Sequence, residues 1–280
     1  MPSLDWYDCP IVLPYYGGKY EMSKKLIPLL PPHERYIEVF AGGLSMFFRK
    51  AKAKWNVLND KDKNIVNLYM SVILKRKELI DNLFWIPKSR DLFLDFKGEI
   101  RDENHTFEIP DPLQAAKYLY CIRYSFNKLI HTPFSMNKDM NKNWEEELTY
   151  SRKFLGGATI ENLDFEELID RYNPRKSDFW YLDPPYIVAT EKGSYYNHSF
   201  DMEDHERLRE SVQKIHDNGG YFMVSYDYRE EVAELYKDFD CRTLDWKYVG
   251  ATDEARQKGR KEYVIINYEP TQQINIFKED

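Results

Sequence analysis

The chain is poor in cysteine: Cys9, Cys121 and Cys241 are its only 3, far apart and never in a C-x-x-C pair. Neither a disulfide framework nor a zinc site is indicated, and a reducing, cytosolic compartment is expected. No run approaches the roughly 18 consecutive apolar residues of a transmembrane helix, so no membrane partner is expected. The opening residues, MPSLDWYDCP, lack a basic region followed by an apolar one, so no signal peptide is expected either. Nor is positive charge in excess: 40 Lys and Arg stand against 47 Asp and Glu, a net charge of −7. Taken alone, that balance counts mildly against nucleic acid. Binding uses one face, however, so basic residues must be sought locally. Internal repeats and low-complexity segments are also missing.

What is present points to a folded protein. Of the 280 residues 42% are hydrophobic, 31% charged and 16% aromatic, with 22 Tyr, 16 Phe and 6 Trp. Disordered chains are poor in aromatics. The length allows one large domain or two small ones, with a sizeable core.

The first third alternates in the α/β manner. Tyr36 to Phe40 (YIEVF) reads as a strand, Ala41-Gly42-Gly43 as a turn, and Leu44 to Lys54 as a helix-like stretch ending in bases. Asn56 to Asn59 reads as a second strand closing on Asp60. Asp62 to Ile80 places Ile65, Leu68, Tyr69, Val72, Ile73 and Leu79 at helical spacing. This order predicts a parallel sheet with right-handed crossovers. Asp81 to Tyr150 shows no clear parallel strand; Asp111 to Ile130 reads as a helix with Pro112 in its first turn, and HTPFSMNKDMNKNWEEEL after it as polar and irregular.

The α/β pattern then resumes. Ala158 to Glu161 reads as a strand, Asp164 to Arg171 as a short helix, and Asp178 to Leu182 (DFWYL) as a buried strand. Asp201 to Asn218 reads as an amphipathic helix with Met202, Leu208, Val212 and Ile215 inside, ended by Gly219-Gly220. Tyr221 to Ser225 and Glu262 to Asn267 read as further strands. The expected fold is α/β: a mostly parallel, doubly wound, Rossmann-like sheet built from 1–80 and 156–280, with a mainly helical subdomain inserted at 81–155.

The sharpest chemical signal is Asp183-Pro184-Pro185-Tyr186, directly after DFWYL. Open α/β sheets place their sites at strand C-termini. Two prolines stiffen the turn and offer carbonyl acceptors without N–H donors. A carboxylate, carbonyls and an aromatic face suit an aromatic amine: two N–H donors meet two acceptors while the ring stacks on Tyr186. The exocyclic nitrogen of adenine is a poor nucleophile because its lone pair is delocalised into the ring. Accepting both N–H protons favours a pyramidal nitrogen and frees that lone pair for in-line attack on an activated methyl group, with much of the gain coming from positioning. Read alone, the same residues also suit a proline-rich turn with a capping Asp.

Glu38-Val39-Phe40-Ala41-Gly42-Gly43 puts glycines after the first strand, where backbone can approach a ligand. It is neither a full G-x-G-x-x-G nor a P-loop, so phosphate cradling is not indicated. Asp60, at the end of the next strand, suits ribose hydroxyls or a helix cap. Tyr15-Tyr16-Gly17-Gly18-Lys19 could cover a ligand carrying a carboxylate or be an ordinary loop.

Taken in order, YYGGK at 15–19, EVFAGG at 38–43, an insert and DPPY at 183–186 resemble the Dam-type (alpha-class) DNA adenine-N6 methyltransferases. LNDKDKNIVNLYM at 58–70, NHSFDMEDHERL at 197–208, GGYFMVSYD at 219–227 and RKEYVIINY at 260–268 extend the likeness over nearly the whole chain. The resemblance implies S-adenosylmethionine (SAM) as cofactor and no metal. It implies that Tyr15, Lys19, Phe40, Gly42, Asp60, Asp164, Phe165 and Asp183 face the cofactor, and that Asp183, Pro184 and Tyr186 grip an adenine flipped out of duplex DNA. Flipping costs a few kcal/mol.

Several positions depart from the family pattern. Tyr15 replaces Trp, Val39 replaces Pro, and Leu44 stands where a third glycine is common. In SFNKLIHTPFS at 125–135, Asn127 and Leu129 match the family's base-reading segment, Lys128 replaces Gly, and His131 replaces the guanine-reading Arg. His cannot copy the bidentate Arg fork, which argues against GATC as the site. Basic residues gather in three places: Lys138, Lys142, Arg152 and Lys153 on the insert; Arg49, Lys50, Lys52 and Lys54; and Arg256, Lys258, Arg260 and Lys261. The last set, in a loop before a strand, is the best candidate for DNA phosphates.

The expected enzyme is thus a site-specific adenine DNA methyltransferase of the cytoplasm of a prokaryotic or phage-infected cell. A cognate restriction endonuclease is a conceivable partner, and the lack of a sustained heptad allows a monomer. The same turn also suits cytosine N4, an RNA adenine or a protein glutamine amide, and a catalytically silent nucleic-acid-binding module would share the fold. Asp at the first position and the insert favour duplex DNA.

Overall fold

The computed structural model describes residue 13 and residues 19–102, 104–126, 130, 132–136, 143–187, 200–246, 260–270 and 277–278. In chain order its elements are α1 (Tyr20–Leu26), β1 (Arg35–Glu38), β2 (Trp55–Asn59), α2 (Lys63–Leu74), α3 (Arg76–Trp85), α4 (Arg90–Arg101), α5 (Pro112–Tyr124) and α6 (Trp144–Leu155). They continue as β3 (Thr159–Glu161), α7 (Phe165–Tyr172), β4 (Asp178–Leu182), α8 (Met202–Asp217), β5 (Tyr221–Asp227), α9 (Glu230–Leu235), β6 (Asp240–Trp246), β7 (Arg260–Ile266) and β8 (Phe277–Lys278).

The strands form an 8-stranded sheet in the order β3-β2-β1-β4-β5-β7-β6-β8. Its centre is parallel: Glu38 of β1 lies opposite Tyr181 of β4, and Leu182 opposite Val224 of β5. Strand β7 is antiparallel to β5 and β6, and β8 antiparallel to β6. The fold is the mixed α/β class that the strand–helix alternation predicts. Among the described residues no helix is long and apolar enough to cross a membrane.

The chain divides into two compact units: Met1–Tyr20, Ala41–Lys52 and Leu58–Asn162 form the first, and Glu21–Phe40, Ala53–Val57 and Leu163–Asp280 the second. In the first, α5 packs against α2, α3 and α4, burying Leu68, Tyr69, Leu79, Phe93, Leu119 and Ile122. Asp111 accepts from the amides of Leu113 and Gln114, both at 2.9 Å, and Pro112 opens α5 as expected of a first-turn proline.

In the second unit, alternation along the strands separates two faces. Ile37, Trp180, Leu182, Phe222, Val224, Tyr263 and Ile265 form a core with Leu168 and Ile169 of α7 and Leu208, Val212 and Ile215 of α8. The intervening residues Tyr36, Glu38, Tyr181, Ser225 and Glu262 point to the opposite face, and all are buried. Helix α8 opens on a capping box: Asp204 N donates to Asp201 Oδ1 at 3.0 Å, and Asp201 N to Asp204 Oδ2 at 3.3 Å. It closes at Gly219, whose φ of +79° suits a residue without a side chain.

Four local expectations are corrected. Leu44 to Lys50 is a series of turns rather than a helix. Leu44 sits at φ 53°, outside the helical region, and the turn mixes spacings: Phe48 N donates to Leu44 O, whereas Arg49 N donates to Met46 O. The helix expected from 62 to 80 breaks at Lys75, which has φ −128° and ψ 29°. Met202 is exposed at 46%, because it is the first residue of α8 and lies before the packed turns. WEEEL, read as irregular, opens α6, with Glu145, Glu146 and Glu147 in its first turn and Arg152 and Lys153 in its last, the charge order that the helix dipole favours.

Candidate active site

In the second unit, Asp183 follows the last residue of β4. Strand parity directs it to the face that carries Tyr181 and Ser225. Ser225 Oγ donates to Asp183 Oδ1 at 3.0 Å, and Tyr181 OH lies 3.1 Å from Ser225 Oγ. Burial, and then the charge of Asp183, hold the Tyr181 phenol well above its ordinary pKa, so it stays a donor. Pro184 is buried, while Asp183 and Tyr186 are half-buried. The Tyr186 hydroxyl donates to Glu262 Oε2 at 3.3 Å, and its ring centroid lies 6.4 Å from that of Tyr226. The turn therefore presents a carboxylate and an aromatic ring, each tied to a buried group.

The same unit holds Phe40, Asp164 and Phe165. The Phe40 ring lies 6.0 Å from those of Phe165 and Phe200, which are themselves 5.8 Å apart. Asp164 caps α7 by accepting from Glu166 N at 3.1 Å. It also accepts from Arg207 at 3.0 Å, and the guanidinium lies 4.9 Å from the Phe165 centroid. Arg207 further donates to Glu166 and Asp204, both at 2.7 Å, and its hydrogen bond to Glu166 above all holds the guanidinium charged.

The first unit holds Lys19, Gly42 and Asp60. Gly42, at φ 44°, adopts a left-handed conformation that suits glycine. Its amide donates to Asp60 Oδ2 at 2.8 Å, and its carbonyl accepts from Tyr69 OH at 2.6 Å. Asp60 Oδ1 accepts from Asp62 N at 2.9 Å. Burial, then the charge of Asp62, push the Asp60 carboxyl up to about 7, against the opposing pull of the Gly42, Asp62 and Lys61 amides. The cap of α2 is Asp62, which accepts from Asn64 N at 2.9 Å, so Asp60 serves the glycine turn instead. Leu44, where the family often has glycine, keeps the left-handed φ of 53° while buried. Lys19 is buried at 4% exposure.

Tyr15, Asn127, Leu129, His131, Arg256 and Lys258 lie outside the described residues, as do Lys138 and Lys142; Arg260 is described as the first residue of β7. Of the other basic clusters, Arg49 and Lys50 are buried at 1% and 3% exposure, so they present no phosphate-binding face.

The model of the D12 class N6 adenine-specific DNA methyltransferases matches residues 15–249. The chain belongs to this family. It is an enzyme of the adenine-specific DNA methyltransferase class, and DNA is its substrate. It is 26% identical to the type II methyltransferase M1.LlaDCHI of Lactococcus lactis subsp. cremoris, over 90% of this chain and 93% of that one. It is also 26% identical to the modification methylase StsI of Streptococcus sanguinis, over 94% of this chain but only 43% of that longer protein. The DNA adenine methylase of Salmonella typhi is 24% identical over 76% of this chain and 79% of its own.

Sequence reasoning about this methyltransferase missed Tyr181, Ser225, Glu262, Phe200 and Arg207. For three of them a signal existed: a polar residue within an otherwise apolar strand (Ser225 in YFMVS, Glu262 before YVII) and the i, i+2 parity between Tyr181 and Asp183.

Proposed function

We propose that this methyltransferase transfers a methyl group from SAM to N6 of an adenine flipped out of duplex DNA, with Asp183, Pro184 and Tyr186 as the residues that hold the base. The observation that carries this reading is Asp183, at the end of a buried strand with one carboxylate oxygen held by Ser225, followed by two prolines and a half-buried tyrosine. Asp183 and the Pro184 carbonyl accept the two N6 protons, and Tyr186 stacks on the base. Their acceptance frees the N6 lone pair and orients it for in-line attack on an activated methyl group. The proton that N6 then sheds leaves along its hydrogen bond to Asp183. When bound, SAM supplies the activated methyl group.

Each unit, taken by itself, carries residues that suit part of that cofactor. The Phe40 and Phe165 rings suit its adenine, and Asp164 directly precedes Phe165 in the chain. The Asp60 carboxylate suits ribose hydroxyls, and Gly42 allows close backbone approach. Lys19 and Tyr15 are assigned to the cofactor by their place in YYGGK, and Asp183 borders it. Asn127, Leu129 and His131 are assigned to base reading, and Arg256, Lys258 and Arg260 to phosphates. The insert 81–155 is assigned to target recognition, and 1–80 with 156–280 to catalysis. With His131 in place of Arg, the target differs from GATC. The bacterial relatives support action in the cytoplasm of a bacterial or phage-infected cell, beside a cognate endonuclease where one is encoded.

The test is transfer from labelled SAM to unmethylated genomic DNA, followed by long-read mapping. N6-methyladenine at a short motif other than GATC is the expected result. Label in RNA, protein or cytosine alone would refute the reading.

A further inference from the structure

The buried face of the central strands carries more than the turn itself requires. Glu38, Tyr181, Ser225 and Glu262 all point to it, and each is at most 5% exposed. Within this strip the polar atoms are ordered. Ser225 Oγ donates its single proton to Asp183 Oδ1 at 3.0 Å. Ser225 Oγ therefore serves as an acceptor toward Tyr181, and Tyr181 OH donates to it across 3.1 Å. Tyr181 and Ser225 are 2% and 0% exposed and sit on neighbouring parallel strands, so their separation is set by the sheet register. Asp183, by contrast, follows the end of β4, where ladder pairing stops.

We propose that Ser225 and Tyr181 are positioning residues that fix the orientation of the Asp183 carboxylate for the amine. This rests on the function proposed above. A carboxylate at a strand end can rotate about Cβ–Cγ, and each rotation moves the oxygen that meets the N6 proton. A hydroxyl fixed in the central sheet holds one oxygen and so sets the direction of both. Tyr181 acts through Ser225: by donating to it, Tyr181 occupies a serine lone pair and does not compete with Asp183 for the serine proton. The Tyr181 phenol is fit for this because burial and the Asp183 charge keep it protonated. Misplacing a reacting group by about 1 Å can cost about 100-fold in rate, so loss of this support is visible kinetically.

The experiment compares S225A, Y181F and the double variant with the wild type, using saturating labelled SAM and unmethylated DNA. Transfer by the wild type tests the proposed function; the ratios between variants test the positioning. If the wild type methylates another amine, the same ratios are read on that acceptor. S225A is expected to lose at least about tenfold in kcat with KM for SAM unchanged, and calorimetric SAM binding confirms that it is folded. Y181F is expected to lose less, and its effect to vanish in the S225A background. Wild-type kcat in S225A, a change confined to KM, or additive losses in the double variant would each overturn the proposal.

Discussion

The amide of Gly42 donates to Asp60 Oδ2 at 2.8 Å, so a carboxylate 18 residues away closes the glycine turn after β1. That carboxyl lies at about 7 in the fold, against about 3.9 in an unfolded chain. The folded state therefore binds a proton that the unfolded state releases. The contribution of Asp60 to stability is full below about pH 4 and is lost as pH rises toward 7. Urea unfolding at pH 5 and pH 8 should show the wild type losing more stability across this window than D60N. Equal losses would place the Asp60 carboxyl in the ordinary range.

Asp183→Ala should separate binding from chemistry. The variant keeps Phe40, Phe165 and Asp60, so calorimetry should still detect SAM, with affinity equal or weaker. Methyl transfer should fall by at least about 100-fold, since both positioning and proton acceptance are removed. Full transfer by D183A would exclude the proposed chemistry.

Tyr186 offers a graded test. Y186F keeps the ring and loses the hydroxyl that donates to Glu262 at 3.3 Å, so a small, few-fold fall in kcat is expected. Y186A removes the stacking surface, worth about 1–3 kcal/mol per base, or roughly 5- to 150-fold. With 2-aminopurine at the target position, Y186F should preserve the fluorescence rise of a flipped base and Y186A should weaken it. Identical behaviour of the two variants would argue against stacking.

Arg207 joins the start of α8 to the start of α7 through Asp164, Glu166 and Asp204, and covers the Phe165 ring. Its side chain is 34% exposed, so screening limits each ion pair to a fraction of a kcal/mol. R207A should cost about 1 kcal/mol in all, a Tm fall of about 2–4 °C for a chain of this size. The difference from wild type should shrink in 1 M salt as the ion-pair part is screened, about 3 Å being the Debye length there. A salt-independent loss would assign the whole effect to packing on Phe165.

Much of the fold was legible where neighbours along the chain decide it. Strand β4 occupies Asp178–Leu182, as its apolar run predicts, and α8 ends at Asp217, before Gly219-Gly220. The helix expected over Leu44 to Lys54 failed because periodicity cannot report a left-handed residue: Leu44 has φ 53°. Apolar residues at helical spacing over 62–80 gave no hint of the break at Lys75, since no glycine or proline marks it.

The sequence by itself determined the alternation of strands and helices, the order of YYGGK, EVFAGG and DPPY, and hence the family, because these are properties of contiguous residues. The tertiary structure alone decided which groups support those motifs. Ser225 lies 42 residues from Asp183, Glu262 76 from Tyr186, and Arg207 43 from Asp164. Sheet register and helix packing bring each pair together, and no local spacing encodes them. For the same reason Arg49 and Lys50, basic residues that read as a surface cluster, are buried: their exposure depends on what the rest of the chain packs over them.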